Sequence, residues 1–410
     1  MIRTDIMGKV MIVPKGTEEF RCIGTACEDH CCNSWRVDID RVGFMKVTTS
    51  SNSVIKPLAK KAYVKNQNAT NDSNYGLMQW NGERLCHFLD ENKWCIIHKE
   101  LGESALCNTC AIYPREHRQV GEYVEKSLSL SCPEVVRTLL LQVEGLEFEE
   151  VLAQSNERVI NKAFVKGEAV DFIWKVRIFA INLLQERSIP LDIRMLLLGV
   201  FMEQVNKKTQ TLENIEQVIL KMEQRISMPE YLQAILSVKG NELVQLQLHK
   251  ELIRTTIEEI SFNPRFVNVV NQFIRGLQTG PLEEKEITEE TLKAYITAQA
   301  NYHKFIQEHH YILENYVVHY IFTNLFPFNA AAPFEAYEDI VINYQIIKAL
   351  LIGVAAHNGE LTVDDAILVI QSYSKVAAHN SKSYSTLRKK MKESGLEALP
   401  FLFAYIKTNK

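Results

Sequence analysis

From residue 135 onward, apolar and polar positions alternate with helical spacing almost without pause. In the stretch 170–186, Val170, Ile173, Trp174, Val176, Ile178, Phe179, Ile181 and Leu184 recur at three-to-four spacing, which predicts an amphipathic helix. The stretch 191–205 repeats the pattern, with Pro190 placed to open it. Ser227, Pro229 and Glu230 read as a capping box that starts a helix over 231–252. Gly280-Pro281 and the acidic run 283–290 predict a break between helical groups near residue 280. A long helix is expected over about 289–324, ended by Phe326-Pro327-Phe328, and Thr362 is placed to cap one running through Ile370 towards Ala378. The apolar stretch 346–356 is too short to span a bilayer and reads as a core helix. Along the long helix Tyr302, Phe305, Ile306, His309, Leu313, Tyr316 and Tyr320 share one face. A core stripe is preferred there over an aromatic cage for lysine.

Before residue 135 the pattern changes. Short extended pieces are expected at 11–13 and 35–39, a helix around 55–64 and an exposed loop over 66–74. The expected fold is mainly α: a small irregular Cys-rich α+β metallocentre module at 1–134, followed by an all-α helical domain at 135–410. The first part is expected to be held by metal instead of a large apolar core.

Bulk composition narrows the function classes. The 410 residues carry a net charge of −4, with 46% apolar and 23% charged side chains. No overall positive field recruits nucleic acid or anionic lipid, so neither nucleic acid nor membrane is expected as a partner. Residues 1–17 contain a short apolar run but no signal-peptide pattern, which points to a reducing cytoplasmic setting.

Cysteine then sharpens the picture, because all nine lie between Cys22 and Cys132. They are Cys22, Cys27, Cys31, Cys32, Cys86, Cys95, Cys107, Cys110 and Cys132. Thiolate clusters at short spacing hold zinc or iron–sulfur centres. Cys107-Asn-Thr-Cys110 has the compact spacing used by metal knuckles and redox pairs, and Cys132-Pro133 has the form that ends ferredoxin runs. About four to six of the nine are expected to be ligands, the others being buried inert thiols. His98, three residues after Cys95, is a further candidate ligand, whereas His30 and His87 are expected around the site or at the surface. The spacing alone leaves zinc and iron–sulfur open.

Four phrases resemble the flagellin lysine-N-methylase family, itself related to Cys-rich zinc- or iron-chelating proteins. They are Phe20-Arg-Cys22-Ile-Gly24 continuing through Cys27, Cys31 and Cys32 to Asp40; Cys86-His-Phe88-Leu89 followed by Cys95 to Gly102; Leu106-Cys107-Asn-Thr109-Cys110 ending in Tyr113-Pro114-Arg115; and Leu128 to Glu134. Glu314-Asn315-Tyr316 and Phe326-Pro327-Phe328 resemble its helical half. The resemblance implies methyl transfer from S-adenosylmethionine to lysines of flagellin, and a cysteine-held iron–sulfur cluster of the [4Fe–4S] type. The Cys-x3-Cys-x2-Cys triplet of radical enzymes is absent, as is a strand, Gly-rich loop and helix of the Rossmann kind, so no S-adenosylmethionine site is identified.

Lysine methylation requires a neutral amine, whose reference pKa is about 10.4, and hence desolvation or a base. Candidate carboxylates are Glu28, Asp29, Asp38, Asp40 and Glu134. Each has a structural alternative as a helix cap, a strand-face residue or a first-turn residue. Arg115 could pair with a cofactor carboxylate, but neutralising thiolates or a structural ion pair is preferred. The rival reading is a non-enzymatic zinc-stapled module with a helical scaffold for protein binding.

Overall fold

The structure is a computed structural model. It describes residues 2–3, 9–33, 37–153, 160–208, 212–259, 263–284, 286–377, 381–393 and 399–409. The chain is mainly α, with a smaller α+β part towards its N-terminus, and it divides into two compact units. One comprises Met1–Thr138, Phe148–Phe164 and Ser261–Asn263; the other comprises Leu139–Glu147, Val165–Ile260 and Pro264–Lys410.

The first unit holds more sheet than its sequence suggests. Nine strands are described: β1 (Ile2–Arg3), β2 (Val10–Pro14), β3 (Asp38–Ile39), β4 (Tyr63–Lys65), β5 (Gly76–Met78), β6 (Arg115–Val120), β7 (Tyr123–Leu128), β8 (Phe148–Leu152) and β9 (Ile160–Val165). Six form one sheet in the order β1-β9-β6-β7-β2-β8, and β3-β5-β4 form a second. The β2 strand runs parallel to β7, with Met11 opposite Val124, and antiparallel to β8, with Met11 opposite Val151. The β6–β7 hairpin is polar in sequence, yet His117, Gln119, Glu125, Lys126 and Ser127 are all buried. Buried charge needs a partner, and Lys126 Nζ meets Glu18 Oε1 at 2.8 Å. Of the extended piece expected at 35–39, only Asp38 and Ile39 are strand, while Trp35 and Arg36 lie outside the described residues.

Five helices accompany the sheets: α1 (Arg41–Thr48), α2 (Ile55–Ala62), α3 (Ile96–Leu101), α4 (Asn108–Ile112) and α5 (Pro133–Val135). An apolar cluster joins α1, α2, α3 and α4 to the smaller sheet through residues such as Ile39, Val47, Ile55 and Ile97. An apolar core is therefore present in this unit, and Cys32, Cys86, Cys95, Cys107 and Cys110 belong to it or pack against it.

The second unit contains eleven described helices: α6 (Ala169–Leu184), α7 (Leu191–Lys208), α8 (Leu212–Ile226), α9 (Pro229–Leu236), α10 (Glu242–Glu259), α11 (Pro264–Leu277), α12 (Glu289–Thr323), α13 (Pro333–Asn358), α14 (Val363–Ala377), α15 (Ser381–Glu393) and α16 (Leu399–Ile406). Two sequence expectations fail locally. The capping box does not form, because Met228 occupies the cap position and the Ser227 hydroxyl donates to Gln224 O. The helix expected over 231–252 is two helices, and Asn241 restarts the second by accepting Val244 N–H at 3.0 Å. The long helix α12 is real but bends at His309, whose φ of −124° and ψ of 34° are not helical. Tyr302, Phe305, Tyr316 and Tyr320 are buried on it, so the stripe is core. Thr362 caps α14, accepting Asp365 N–H at 3.2 Å; Ala378 lies outside the described residues.

Helix α13 is the central element. Every residue from Ala336 to Ala355 is buried, and α7, α10, α11, α12, α14 and α15 pack around it. It is long and apolar enough to cross a membrane, but 89% of that window is buried inside the protein, as a core helix requires. It crosses α11 so closely that a Cβ on Gly353 would lie 2.6 Å from Phe273 Cα.

Some buried charged groups in this unit are paired between elements. Glu314, fully enclosed, receives Arg187 at 2.9 Å and Arg194 at 2.7 Å. Replacing Glu314 by Ala leaves Arg194 buried without its carboxylate. The expected loss is about 3–5 kcal/mol of unfolding free energy, read by chemical denaturation; a change below about 1 kcal/mol would show that water reaches this pair.

On α13, burial pushes Glu338 up to about 7 and Asp339 up to about 6, against partial relief from Arg388 and Lys392. A raised carboxyl favours the folded state while protonated, so its contribution is full at low pH and is lost as pH rises from about 4.5 to about 7. His249, pushed down to about 3 by burial, works in the opposite sense: neutral in the fold, it costs stability as pH falls below 6.5. The two slopes oppose, so the test is a difference. Glu338→Gln should gain on the parent protein as pH rises from 4.5 to 7, by at most about 1.4 kcal/mol per pH unit. A pH-independent gap between the two melting curves would contradict this.

Candidate metal centre

All nine cysteines fall in the first unit, and none forms a disulfide. Turns and helix starts position them. Cys95 precedes α3, Cys107 is the cap residue of α4 and Cys132 the cap residue of α5. Cys86 is brought to Cys32 by main-chain pairing, its N–H donating to Cys32 O at 3.0 Å.

The thiols fall into two groups. Cys31, Cys32, Cys86, Cys95, Cys107 and Cys110 feel one another's charge. Five of the six pack in the apolar cluster of the unit, Cys31 being the exception. Cys22 and Cys27 instead act electrostatically on Cys132, and Cys22 on Cys27. Spacing could not reveal this division, because Cys132 is remote in sequence from the thiols it faces and adjacent Cys31 and Cys32 share a group.

Burial acts against ionisation. It pushes Cys86 and Cys132 up to about 12, and raises Cys27 and Cys95 as well. Cys32 lies well above the ordinary thiol range, through a hydrogen bond with Cys31 and then burial. Cys107 and Cys110 share a hydrogen bond that lowers Cys107 and raises Cys110, making Cys107 the thiolate side of the pair.

Main-chain N–H groups act the other way. Gly24 N–H points to Cys22 Sγ at 3.4 Å. Asp29 donates to Cys27, Phe88 to Cys86, Ile97 and His98 to Cys95, Thr109 and Cys110 to Cys107, and Glu134 and Val135 to Cys132. Donors aimed at sulfur favour the thiolate, the form that binds metal. Among the described residues, no three His, Cys, Asp or Glu side chains surround a single ion position. Four-thiolate zinc needs sulfurs about 3.8 Å apart, from Zn–S bonds of about 2.3 Å in a tetrahedron. Thiolate donors are of the kind that suit a soft metal.

The candidate carboxylates have structural duties. Asp40, expected on a strand's solvent face, instead caps α1 by accepting Gly43 N–H at 3.0 Å and caps α4 by accepting Asn108 N–H at 2.6 Å. Asp38 lies in β3, and its carbonyl accepts the Thr109 hydroxyl at 2.7 Å. Glu28 caps no helix; it pairs with Arg137 at 2.5 Å, and the same guanidinium meets Glu134 in the first turn of α5 at 3.3 Å. Asp29 is buried and accepts from Asn33 Nδ2 at 3.2 Å. Arg115 opens β6 and lies 5.5 Å from the centre of the Phe20 ring. The His98 ring is exposed, edge-on to Trp94; what it offers Cys95 is its backbone N–H.

The chain is thus a helix-dominated protein with a cysteine-rich α+β unit. The sequence model described as the FliB lysine N-methylase C-terminal domain matches residues 177–405. A lysine-N-methylase of Salmonella typhimurium is 24% identical over 382 residues, covering 90% of this chain and 92% of the relative, and one of Salmonella choleraesuis matches to the same extent. The flagellar biosynthetic protein FliU of Salmonella muenchen is 30% identical over 157 residues, 38% of this chain and 92% of the relative. No solved structure matches the chain. The chain belongs to the FliB lysine N-methylase family, and is thereby a protein-lysine N-methyltransferase.

Gly43 ties the capping helix to the thiols, since a Cβ there would stand 2.7 Å from Cys107 Cα. Gly43→Ala should cost about 1–3 kcal/mol through overpacking and speed modification of the buried thiols by a thiol reagent. Unchanged melting and unchanged thiol reactivity would show that α1 can shift away without disturbing Cys107.

Proposed function

We propose that this chain methylates lysine ε-amines of flagellin, taking the methyl group from S-adenosylmethionine, and that the six-thiol group of its first unit holds an iron–sulfur cluster. The near full-length match to a lysine-N-methylase carries the reaction class. The flagellar name of a second relative supports flagellin as the acceptor. For the cluster the support is chemical: soft donors, N–H groups aimed at sulfur, and no three donors placed for a single ion.

Cys86, Cys95 and Cys107, which accept main-chain N–H bonds, would supply three ligands, and Cys110, Cys31 or Cys32 the fourth. When bound, such a cluster supplies electron transfer or a Lewis-acidic iron. The protein's own residues have a separate task. They must exclude water around an acceptor lysine and hold the neutral amine in line with the methyl sulfonium. Glu28, Glu134 and Asp40 are committed to Arg137 and to helix caps, so we assign none of them as the base.

The test is purified protein, handled without oxygen, incubated with S-adenosylmethionine and cognate flagellin. Mass spectrometry should find flagellin lysines gaining whole methyl groups, and the protein should be brown with a broad visible band. A colourless protein with stoichiometric zinc would overturn the iron–sulfur assignment. Absence of methylation while a flagellin complex still forms would overturn the catalytic reading in favour of a binding module.

A further inference from the structure

We propose that Lys407, Thr408 and Asn409 form a releasable strap that closes the junction between α9 and α10 and covers the buried amine of Lys348. The inference is independent of the metal and of the methyl acceptor.

Three observations carry it. First, apolar anchoring ends just before the strap. Leu402, Tyr405 and Ile406 of α16 are fully buried, whereas the next three residues are fastened by polar bonds to α7, α10 and the junction. Thr408 N–H donates to Asp192 Oδ2 of α7 at 3.1 Å, and Lys407 Nζ lies 3.5 Å from the same oxygen. Lys407 O accepts Gln245 Nε2 of α10 at 2.7 Å. Asn409 clasps the junction from both sides. Its Oδ1 accepts Gly240 N–H at 2.9 Å, and its Nδ2 donates to Gly240 O at 3.1 Å and to Glu242 Oε1 at 2.6 Å. Each such bond contributes modestly to net stability, so the strap can lift while the apolar packing of α16 stays in place.

Second, the junction is shaped to receive the strap. A Cβ on Gly240 would lie 2.1 Å from Lys407 O. Gly240 has no positive φ, so the close approach of another backbone, and not its own conformation, calls for glycine there. Third, the strap satisfies a buried charge. Lys348 on α13 is fully buried, and its shorter hydrogen bond, at 2.7 Å, goes to Thr408 Oγ1; the other reaches Ile406 O at 3.4 Å. Water can take the place of Thr408 at the ammonium once the strap lifts, so the open state leaves no buried charge unmatched.

Local opening is read by hydrogen exchange and by side-chain reactivity. Asn409→Ala removes one side of the clasp, and Gly240→Ala pushes the strap off from the other. Asn409 is only half-buried, so its replacement is the milder variant and covers failure of Gly240→Ala to fold. In Asn409→Ala, backbone exchange at 240–245 should quicken by about tenfold, as expected for losing one or two net hydrogen bonds, while exchange in α11 and α12 stays at the parent rate. Acetic anhydride should acetylate Lys348 faster by a similar factor, located by peptide mass spectrometry. Gly240→Ala should show the same two changes. Unchanged exchange and unchanged Lys348 reactivity in Asn409→Ala would overturn the proposal. So would a uniform rise of exchange through α10, α11 and α12 with a matching fall in melting temperature, because the strap would then open only with the whole unit. Lys348 reacting in the parent protein as fast as exposed Lys389 would show that nothing covers it, and would equally overturn the proposal.

Discussion

Burying sulfur that must be able to lose a proton is the constraint around which the first unit is organised. Cys86 rises from an ordinary thiol value of 9.0 to about 12 inside the unit. At about 1.4 kcal/mol per pKa unit, its thiolate is disfavoured there by about 4 kcal/mol. That rise already includes the relief that the Phe88 N–H bond gives the sulfur. In the metal-holding reading proposed above, a bound cation offsets this cost. The architecture follows from this requirement: Cys95, Cys107 and Cys132 sit at helix starts, where main-chain N–H groups lack helical partners. Asp40 then fastens one of those helices, α4, to α1, accepting Asn108 N–H and Gly43 N–H with its two oxygens.

The second unit solves a different problem. Its central helix carries Glu338, Asp339, Asn343, Gln345 and Lys348 in positions that solvent does not reach. Asp339, Asn343, Gln345 and Lys348 are matched by partners from outside this helix, Asp339 by Arg388. Tyr373 donates to Asn343 at 2.8 Å, Gln345 Nε2 donates to Tyr405 O at 3.1 Å, and Lys348 Nζ donates to Thr408 Oγ1 at 2.7 Å. Such pairings contribute modestly to net stability, but leaving one member unmatched is expensive. They therefore select a single packing of α13 against its neighbours, where an all-aliphatic helix could slide.

Helices were legible in the sequence because their apolar positions recur at helical spacing over long stretches, as in α6 and α7. The β6–β7 hairpin was not, since a strand buried with charged and amide side chains lacks the alternation that marks a half-exposed one. The α9–α10 break was missed because an asparagine cap can restart a helix without any loss of apolar periodicity around it. The thiols announced themselves by type and by confinement to residues 22–132, but their division into two groups depends on chain paths that spacing does not encode. Glu28 and Glu134 were equally opaque: their shared partner, Arg137, is an ordinary surface-type residue until the fold places it between them.

The chemistry of the family sharpens what those pairings mean. An exposed lysine held at pH 7.4 lies about three units below its reference pKa of about 10.4, so presenting the neutral amine costs about 4 kcal/mol. A general base working near neutrality needs a pKa close to that pH and a lone pair not already committed. Glu28 and Glu134 fail on commitment to Arg137, and Asp40 fails because its oxygens hold Gly43 and Asn108. Glu338 and Asp339 have suitable values, yet burial produces those values and Arg388 pairs with Asp339 within the helical packing. Asp29 differs from all of these, being buried beside Cys27 and bonded to the neutral Asn33 amide.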